Sequence, residues 1–414
     1  MFNQLTEQEQ ALLETLKDRQ ASMLETITML CDINSGSYNN DGIEKVQNKF
    51  EALFDEISDS YEEITLNPVS NILDNGQEKI FQPRPMQVFR ARPEAPFQLL
   101  LTGHSDTVFP ENSHFQACTL EGNELHGPGT ADMKGGLVVM LEALKALDAS
   151  PYKNDFGFTV AISSEEEIGS PSSGAVLMDL AQGKNVGLTY EPALTDGTLA
   201  GERKGSGNFT MVFKGKSTHA GREFFLGKNA VLAACHATML LSDLTSEESG
   251  VTVNVARING GGAVNVVPDH CILRFNIRIQ TPEQQQLLLD QVQDVVKAVE
   301  EKTGCEVELH GSFNRPPKAM TEDQIKLFSL LKTCGENMGM EIRWKATGGC
   351  CEGNNLAAAG LVNIDTLGVR GAHIHSDKEF ACVDSFVERA QLSALLIARL
   401  IQNQSDFKKN EGVK

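Results

Sequence analysis

Three short apolar segments, separated by helical stretches, constrain the fold of this chain most strongly. These β-prone segments lie at residues 97–103, 157–163 and 186–190, and the apolar stretch at 136–147 has the character of a helix. Strands that alternate with helices are typical of a mainly parallel sheet with helices on both of its faces. The sequence therefore predicts an α/β fold.

The pattern of elements changes near residue 204. Strands and helices then follow in the order β-α-β-β-α-β, at 208–214, 227–243, 251–259, 270–279, 282–303 and 305–310. This order is the split βαβ pattern of a ferredoxin-like domain. The sequence thus predicts an α+β domain at 204–316, inserted in a larger domain made of 1–203 and 317–414. In the larger domain, further helices are predicted near 5–31, 42–55, 321–338 and 384–403.

The composition excludes several kinds of partner. The chain carries 56 acidic and 36 basic residues, a net charge of −20, and it has no basic stripe that could bind nucleic acid. No apolar run approaches the roughly 20 residues of a membrane helix, and the first residues do not resemble a secretory signal. Nine cysteines, an odd number without framework spacing, favour a reducing compartment. We therefore predict a cytoplasmic protein.

Two histidines and several carboxylates follow the predicted strands or lie in loops near their carboxyl ends, where open α/β sheets place their sites. They are His104, Asp132, Glu166, Glu167, Glu191 and His375. Imidazole and carboxylate groups suit Zn²⁺, and there are more of them than one tetrahedral ion needs. They fit two ions that share a bridging carboxylate, an arrangement that activates water for attack on an amide. The sequence predicts a metallohydrolase.

Six segments carry these residues and extend over nearly the whole chain. They lie at 103–108, 127–136, 165–170, 190–192, 217–221 and 373–379. In order and spacing they resemble the motifs of the M20 family of di-zinc peptidases and deacylases, most of all its glutamate carboxypeptidase (carboxypeptidase G2) branch. The resemblance implies a zinc-hydrolase catalytic domain whose inserted domain acts as a lid and dimerisation domain.

The resemblance assigns the metal ligands to two sites that share Asp132. The other ligands would be His104 and Glu191 on one ion, and Glu167 and His375 on the other. It also implies a cis peptide bond between Asp132 and Met133. Two histidines compete for the last position, and the match favours His375 over its alternative, His373.

Two further carboxylates receive roles in the reaction. By the resemblance, Glu166 is the general base and acid, whereas its neighbour Glu165 is expected only in a solvated turn. Asp106 lies two residues after His104, on the same side of an extended chain. Its carboxylate can accept the hydrogen of the imidazole nitrogen that does not bind metal.

In the inserted domain, His219, Asn265 and Arg278 match positions that line the substrate in the family. His219 would reach the active site of the partner subunit and stabilise the oxyanion there, which implies a homodimer formed through the inserted domain. Arg278 could bind a substrate carboxylate with its two parallel N–H groups. The remaining histidines are interpreted as structural or surface residues: His114, His126, His236, His270 and His310.

Together these assignments predict a hydrolase with two Zn²⁺ ions per subunit, for which cobalt or manganese would substitute. Its substrates would be small N-acyl amino acids or peptides with a free terminal carboxylate. The alternatives are an N-acetyl or N-succinyl amino acid deacylase, similar to acetylornithine deacetylase, and a non-catalytic ligand-binding homologue. The loop 348–354 departs from the family because Cys351 and Glu352 replace a small hydroxyl residue and Asp. The identity of the substrate therefore does not carry over.

Overall fold

Ten α-helices form within residues 4–412, the part of the chain that this computed structural model describes. They are α1 (Glu7–Glu14), α2 (Gln20–Cys31), α3 (Asn40–Phe54), α4 (Lys134–Asp148), α5 (Ser173–Leu180), α6 (Ala230–Ser242), α7 (Glu283–Thr303), α8 (Glu322–Asn337), α9 (Glu352–Ala358) and α10 (Ser385–Gln402).

Most of the strands of the described chain belong to three sheets of four to six strands, and the rest form two-stranded pairs. In chain order they are β1 (Ser60–Ile64), β2 (Val69–Ile72), β3 (Glu78–Phe81), β4 (Met86–Ala91), β5 (Phe97–His104), β6 (Thr119–Glu121), β7 (Glu124–His126), β8 (Phe156–Ser163), β9 (Val186–Thr189), β10 (Ala193–Leu194), β11 (Leu199–Arg203), β12 (Gly205–Lys214), β13 (Thr218–His219), β14 (Thr252–Gly260), β15 (Val266–Val267), β16 (His270–Ile279), β17 (Glu306–Arg315), β18 (Trp344–Thr347), β19 (Asn363–Ile364), β20 (Arg370–Ala372) and β21 (Phe380–Cys382).

The largest sheet has the strand order β1-β4-β8-β5-β9-β19. Strands β8, β5, β9 and β19 run parallel, and β4 and β1 are antiparallel at one edge. Every residue of β5 is buried because both faces of the sheet are covered. Leu99 and Leu101 pack with residues of α4 and α10, whereas Leu100 packs with residues of α5 and α9 on the opposite face. The predicted α/β fold is confirmed.

The inserted domain contains a four-stranded antiparallel sheet in the order β14-β16-β12-β17. Helices α6 and α7 share one core cluster with this sheet, through residues such as Ala233, Val292 and Phe275. The chain order β12-α6-β14-β16-α7-β17 is the predicted ferredoxin-like pattern. The domain boundaries at 204 and 316 stay predictions, and residues 1–3 and 413–414 of the larger domain lie outside the described residues.

The single helix predicted at 5–31 is wrong, because α1 ends at Glu14 and α2 begins at Gln20. The main-chain N–H groups of Thr15 and Leu16 each donate to a carbonyl three residues earlier, which tightens the chain into a turn. Leu16 is nevertheless only 1% exposed, so its core position extends the apolar pattern across the break.

No helix within residues 4–412 is long and apolar enough to cross a membrane.

Candidate metal centre

The sheet brings the five predicted metal ligands to one edge. His104 is the last residue of β5, Glu167 lies in a short 3₁₀ turn after β8, and Glu191 follows β9. Asp132 precedes α4, and His375 lies between β20 and β21. Because β5, β8 and β9 are parallel neighbours, their carboxyl ends open on the same side of the sheet.

The donor atoms form two groups, each held within 4.8 Å, and Asp132 belongs to both. In the first group, Nε2 of His104 lies 3.2 Å from Oδ1 of Asp132 and 3.9 Å from Oε1 of Glu191. In the second, Nε2 of His375 lies 3.2 Å from Oδ2 of Asp132 and 3.1 Å from Oε2 of Glu167. Each carboxylate oxygen of Asp132 therefore faces a different group. The groups contain the same residues as the two predicted sites.

The electrostatics of these residues fit the binding of cations. Burial, with the charge of Asp132, raises the pKa of Glu167 to about 8. The same two causes raise the pKa of Glu191 well above its usual range. Hydrogen bonds to Asp132 and Glu167 raise the pKa of His375 to about 11. The site thus holds protons that divalent ions would displace on binding, and its imidazole and carboxylate donors suit such ions.

Asp106, two residues after His104, connects His104 to the turn that carries Glu166 and Glu167. Nδ1 of His104 lies 2.9 Å from the main-chain oxygen of Asp106 and 3.4 Å from its Oδ1 atom. The carboxylate of Asp106 accepts the main-chain N–H groups of Glu166 and Glu167, at 3.1 and 3.2 Å, and the Ser37 hydroxyl at 2.7 Å. The Nδ1 atom is therefore closer to the main-chain oxygen of Asp106 than to the predicted carboxylate, because β5 ends at His104 and the chain turns.

The three consecutive glutamates have different surroundings. Glu166 lies outside both ligand groups, with Oε2 4.0 Å from Nε2 of His104, and its carboxylate forms an ion pair with Arg315 of β17. Glu167 belongs to the second ligand group. Glu165 is fully buried and accepts the N–H groups of Ser172 and Ser173, at 2.7 and 2.5 Å, at the start of α5. The solvated turn expected for Glu165 is wrong, because this carboxylate satisfies the amino end of a helix.

The backbone agrees with one further expectation. The peptide bond between Asp132 and Met133 is cis, as the resemblance implied. His373 and His375 both adopt positive φ angles, of 57° and 63°. Only His375 joins a ligand group, whereas His373 is exposed and its ring lies 6.0 Å from that of Phe380.

Sequence reasoning assigned no role to two groups that support the site. The Glu379 carboxylate accepts the main-chain N–H groups of Ala131 and Asp132, each at 3.0 Å, and so fixes the loop that carries the shared ligand. Arg203 binds Asp365 through two hydrogen bonds of 2.8 and 3.0 Å. Glu379 lies in the matched segment 373–379, so the motif could have indicated a role for it. No sequence pattern indicates that Arg203 pairs with Asp365.

A cleft of about 430 Å³ opens at the two ligand groups. Its walls include Glu166 and three arginines, namely Arg203, Arg278 and Arg315. The loop that departs from the family contributes Cys350 and Cys351, and the Cys350 sulfur lies 3.0 Å from Nη1 of Arg278. Glu352 is buried instead and accepts a hydrogen bond from the Ser163 hydroxyl.

The other two predicted lid residues lie apart from this cleft. His219 and Asn265 are exposed and are absent from the described residues that line it. They are close to one another, because the main-chain N–H of Ala220 donates to the Asn265 carbonyl at 2.9 Å. Among these three predicted lid residues, Arg278 is the one that lines the cleft at the ligand groups.

Comparison with known proteins identifies the family. Residues 100–399 match the model of peptidase family M20/M25/M40. The chain belongs to this family. It is thus a metal-dependent enzyme of the metallopeptidase and amidohydrolase type, which confirms the predicted resemblance and enzyme class.

Several M20 relatives match along most of their length. Carboxypeptidase G2 of Pseudomonas sp. (strain RS-16) is 26% identical over 404 residues, covering 94% of this chain and 92% of the relative. Succinyl-diaminopimelate desuccinylase of Colwellia psychrerythraea is 27% identical, covering 68% and 74%. The M20 family metallo-carboxypeptidase Sso-CP2 of Sulfolobus solfataricus has the same fold, with a TM-score of 0.71 at 16% identity and coverage of 91% and 98%.

Proposed function

We propose that this M20 enzyme is a zinc-dependent hydrolase of the carboxypeptidase type. It would cleave the amide bond of a small N-acyl amino acid or peptide with a free terminal carboxylate. The observation that carries the proposal is the position of Asp132, which presents one oxygen to each of two histidine–carboxylate groups. The Glu166 carboxylate, which neither group uses, lines the same cleft.

The donor set supports two zinc ions, with cobalt or manganese as substitutes. His104 and Glu191 would hold one ion, Glu167 and His375 the other, and Asp132 would bridge them. When bound, such ions lower the pKa of water and polarise an amide carbonyl. The absence of any cysteine sulfur from both groups favours zinc over softer ions.

Glu166 is the residue we assign to proton transfer. Its carboxylate would take a proton from the attacking water and return it to the leaving amine. The ion pair with Arg315 holds this carboxylate in one orientation, and the hydrogen bond from its own N–H to Asp106 fixes the backbone beneath it. Such fixed geometry is what proton transfer over a short distance requires.

We assign the terminal carboxylate of the substrate to Arg278. Arg278 reaches the cleft from the lid, where its Nε donates to Asn276 and its Nη1 lies next to Cys350. Arg203 lines the cleft from the larger domain, but Asp365 and the Gly349 carbonyl already accept its hydrogen bonds. A planar guanidinium binds a carboxylate through two parallel hydrogen bonds. The cleft is thus suited to an anionic leaving group.

A homodimer formed through the lid would complete the site. His219 and Asn265 are exposed together on the lid, and Phe225 and Val264 near them are 96% and 101% exposed. Apolar side chains this exposed are common where subunits associate. We propose that His219 acts in the site of the partner subunit, and that the enzyme works in the cytoplasm, which its cysteine content supports.

A deacylase acting on N-acetyl or N-succinyl amino acids is the second candidate, favoured by the similarity to succinyl-diaminopimelate desuccinylases. The five ligands and Glu166 are all present, which disfavours a non-catalytic homologue. The test is hydrolysis of acyl-glutamates, acetylornithine and short dipeptides by zinc- and cobalt-loaded enzyme. Cleavage of acyl-glutamates or dipeptides supports the carboxypeptidase, preference for acetylornithine supports the deacylase, and no cleavage of any substrate contradicts both.

A further inference from the structure

A two-stranded hairpin, formed by β2 and β3 at residues 69–81, extends from the larger domain onto the lid. Its base is anchored in the larger domain, where Leu66 belongs to a core cluster with residues of α5 and α9. The Gln82 side chain donates to the Leu66 carbonyl at 2.8 Å, and the N–H of Asn67 donates to the Ser172 hydroxyl at 2.6 Å. The hairpin therefore belongs structurally to the larger domain.

The tip of the hairpin is bound to two strands of the lid sheet. Ile72 is 6% exposed and forms a small apolar cluster with Val212 of β12 and Ile272 of β16, which are both fully buried. The Ile72 carbonyl accepts a hydrogen bond from Nη2 of Arg274 at 2.8 Å, and Nη1 of the same guanidinium lies 2.9 Å from Oδ1 of Asp74. Apolar burial and a guanidinium that binds two acceptors thus attach the hairpin to the lid.

The turn of the hairpin also contacts the part of the lid that carries the predicted lid residues. Gly76, with a φ angle of 79°, lies so close to His270 that an added Cβ would be 2.7 Å from Cε1 of the imidazole. The short strand β15 lies shortly before His270 in the chain, and its Val266 pairs with His219 of β13. The hairpin therefore supports the end of the lid at which His219 lies.

This contact lies far from the hinge of the lid. The chain enters and leaves the lid at one place, where the main chains of Arg203 and Lys318 donate to each other's carbonyls at 2.9 Å. From Gly205, where β12 begins, to Val212 the strand extends roughly 24 Å. When a lid rotates about its hinge, the residues farthest from the hinge move most. A contact at this end of the sheet therefore holds the angle of the lid.

We propose that the hairpin is a strap that fixes the angle of the lid, and that Ile72 and Asp74 thereby position His219. The inference rests on the proposed function, because it takes His219 to stabilise the oxyanion in the active site of the partner subunit. The metal ligands and Glu166 lie in the larger domain, so release of the hairpin displaces His219 and leaves the metal centre intact. A misplacement of about 1 Å costs up to about 10²-fold in rate.

Two substitutions at the tip release the hairpin with little risk to the core of either domain. Asp74→Asn removes the charge that pairs with two arginines of the lid sheet. Ile72→Ala removes most of the apolar contact with the lid. The controls are Glu78→Gln and Ile80→Ala, which make matching chemical changes at exposed positions of β3 in the same hairpin.

Hydrogen exchange, followed by mass spectrometry, tests the strap without any substrate. Residues 69–81 should exchange faster in the combined Ile72→Ala and Asp74→Asn variant than in the wild type or the controls. Kinetics then use whichever of the acyl-glutamates, acetylornithine and dipeptides the zinc-loaded enzyme cleaves fastest. In the combined variant kcat should fall by about 10-fold while KM and zinc content change little, because an oxyanion contact acts only in the transition state.

A His219→Ala background separates this inference from the proposed function. In that background the combined hairpin variant should lower kcat little further, because the contact of His219 is already lost. An equal fall of kcat in both backgrounds, unchanged hydrogen exchange, or a full rate despite faster exchange overturns the inference and leaves the proposed function standing. Full activity of His219→Ala alone refutes the proposed role of His219, and no cleavage of any compound refutes the proposed function itself.

Discussion

Arg315, the last residue of β17, forms a buried ion pair with Glu166, 149 residues earlier in the chain. The guanidinium is 4% exposed and also donates to Oδ1 of Asn355 in α9. One side chain thus connects the last strand of the lid sheet, the carboxylate assigned to proton transfer, and a helix of the larger domain. We therefore expect the stability of the inserted domain to depend on this ion pair.

Arg315→Met should destabilise the protein, because it leaves the Glu166 carboxylate without its cation. Breaking a buried pair by removing one partner costs about 3–5 kcal/mol. Chemical denaturation of metal-free wild type, Arg315→Met, Glu166→Gln and the double variant would measure the coupling between the two residues. Since Glu166→Gln removes the charge first, the double variant should be less destabilised than the sum of the single variants. Additive effects would mean that the interaction between Arg315 and Glu166 does not contribute to the free energy of unfolding.

Glu166→Gln and Glu167→Gln should fail in different ways. The Glu166→Gln change keeps the shape of the side chain but removes its ability to accept a proton, so kcat should fall by about 10²–10⁴-fold while both metal ions are retained. Glu167→Gln should weaken metal binding first. Metal analysis and kinetics on the same preparations distinguish them. An active Glu166→Gln enzyme beside an inactive, fully metal-loaded Glu167→Gln enzyme would show that the two roles are reversed.

About two divalent ions should bind per chain, because the two donor groups exceed what one tetrahedral ion uses. His375→Ala should lose part of this metal together with activity. His373→Ala is the matched control, since it removes a neighbouring histidine from outside both groups and should keep the metal. Equal metal loss in both variants would contradict the ligand assignment, and a wild-type content that stays at zero after zinc loading would exclude the centre.

The metal-free protein should become less stable as the pH rises from about 6 to 9. The pKa of Glu167 is raised to about 8 and that of His375 to about 11, both above their values in an unfolded chain. The folded state therefore holds more protons than the unfolded state over this range, and its stability falls with increasing pH. Zinc affinity should change in the opposite direction, because metal and protons compete. Chemical denaturation of chelator-treated, metal-free protein at several pH values measures the effect. In the His375→Ala control, the free energy of unfolding should depend less steeply on pH.

Mixing two inactive variants tests the proposed role of His219 in the partner subunit. A His219→Ala chain combined with an Asp132→Ala chain should recover part of the activity, since each hybrid dimer keeps one complete site. Sedimentation of the mixture should show dimers. A fully active monomer would rule out action across subunits.

The sequence by itself determined the features that depend on neighbouring residues. The apolar segments at 97–103 and 157–163 form β5 and β8, because a strand that is buried on both faces has apolar side chains at consecutive positions. The order of strands and helices in the lid also followed from local periodicity. His104, Glu167 and Glu191 could be found because they follow strands of the large sheet, and the resemblance then assigned the roles of all five ligands.

Only the tertiary structure decided which distant polar groups meet. Glu165 was expected in a solvated turn, yet it is buried and binds the start of α5. The break between α1 and α2 was missed because Leu16, which lies in the break, is a core residue and continues the apolar pattern. The partner of Glu166 lies 149 residues further along the chain, and no local pattern indicates it. The physical reason is that buried polar groups must be hydrogen-bonded, and the folded chain satisfies them with whatever residue packing brings near.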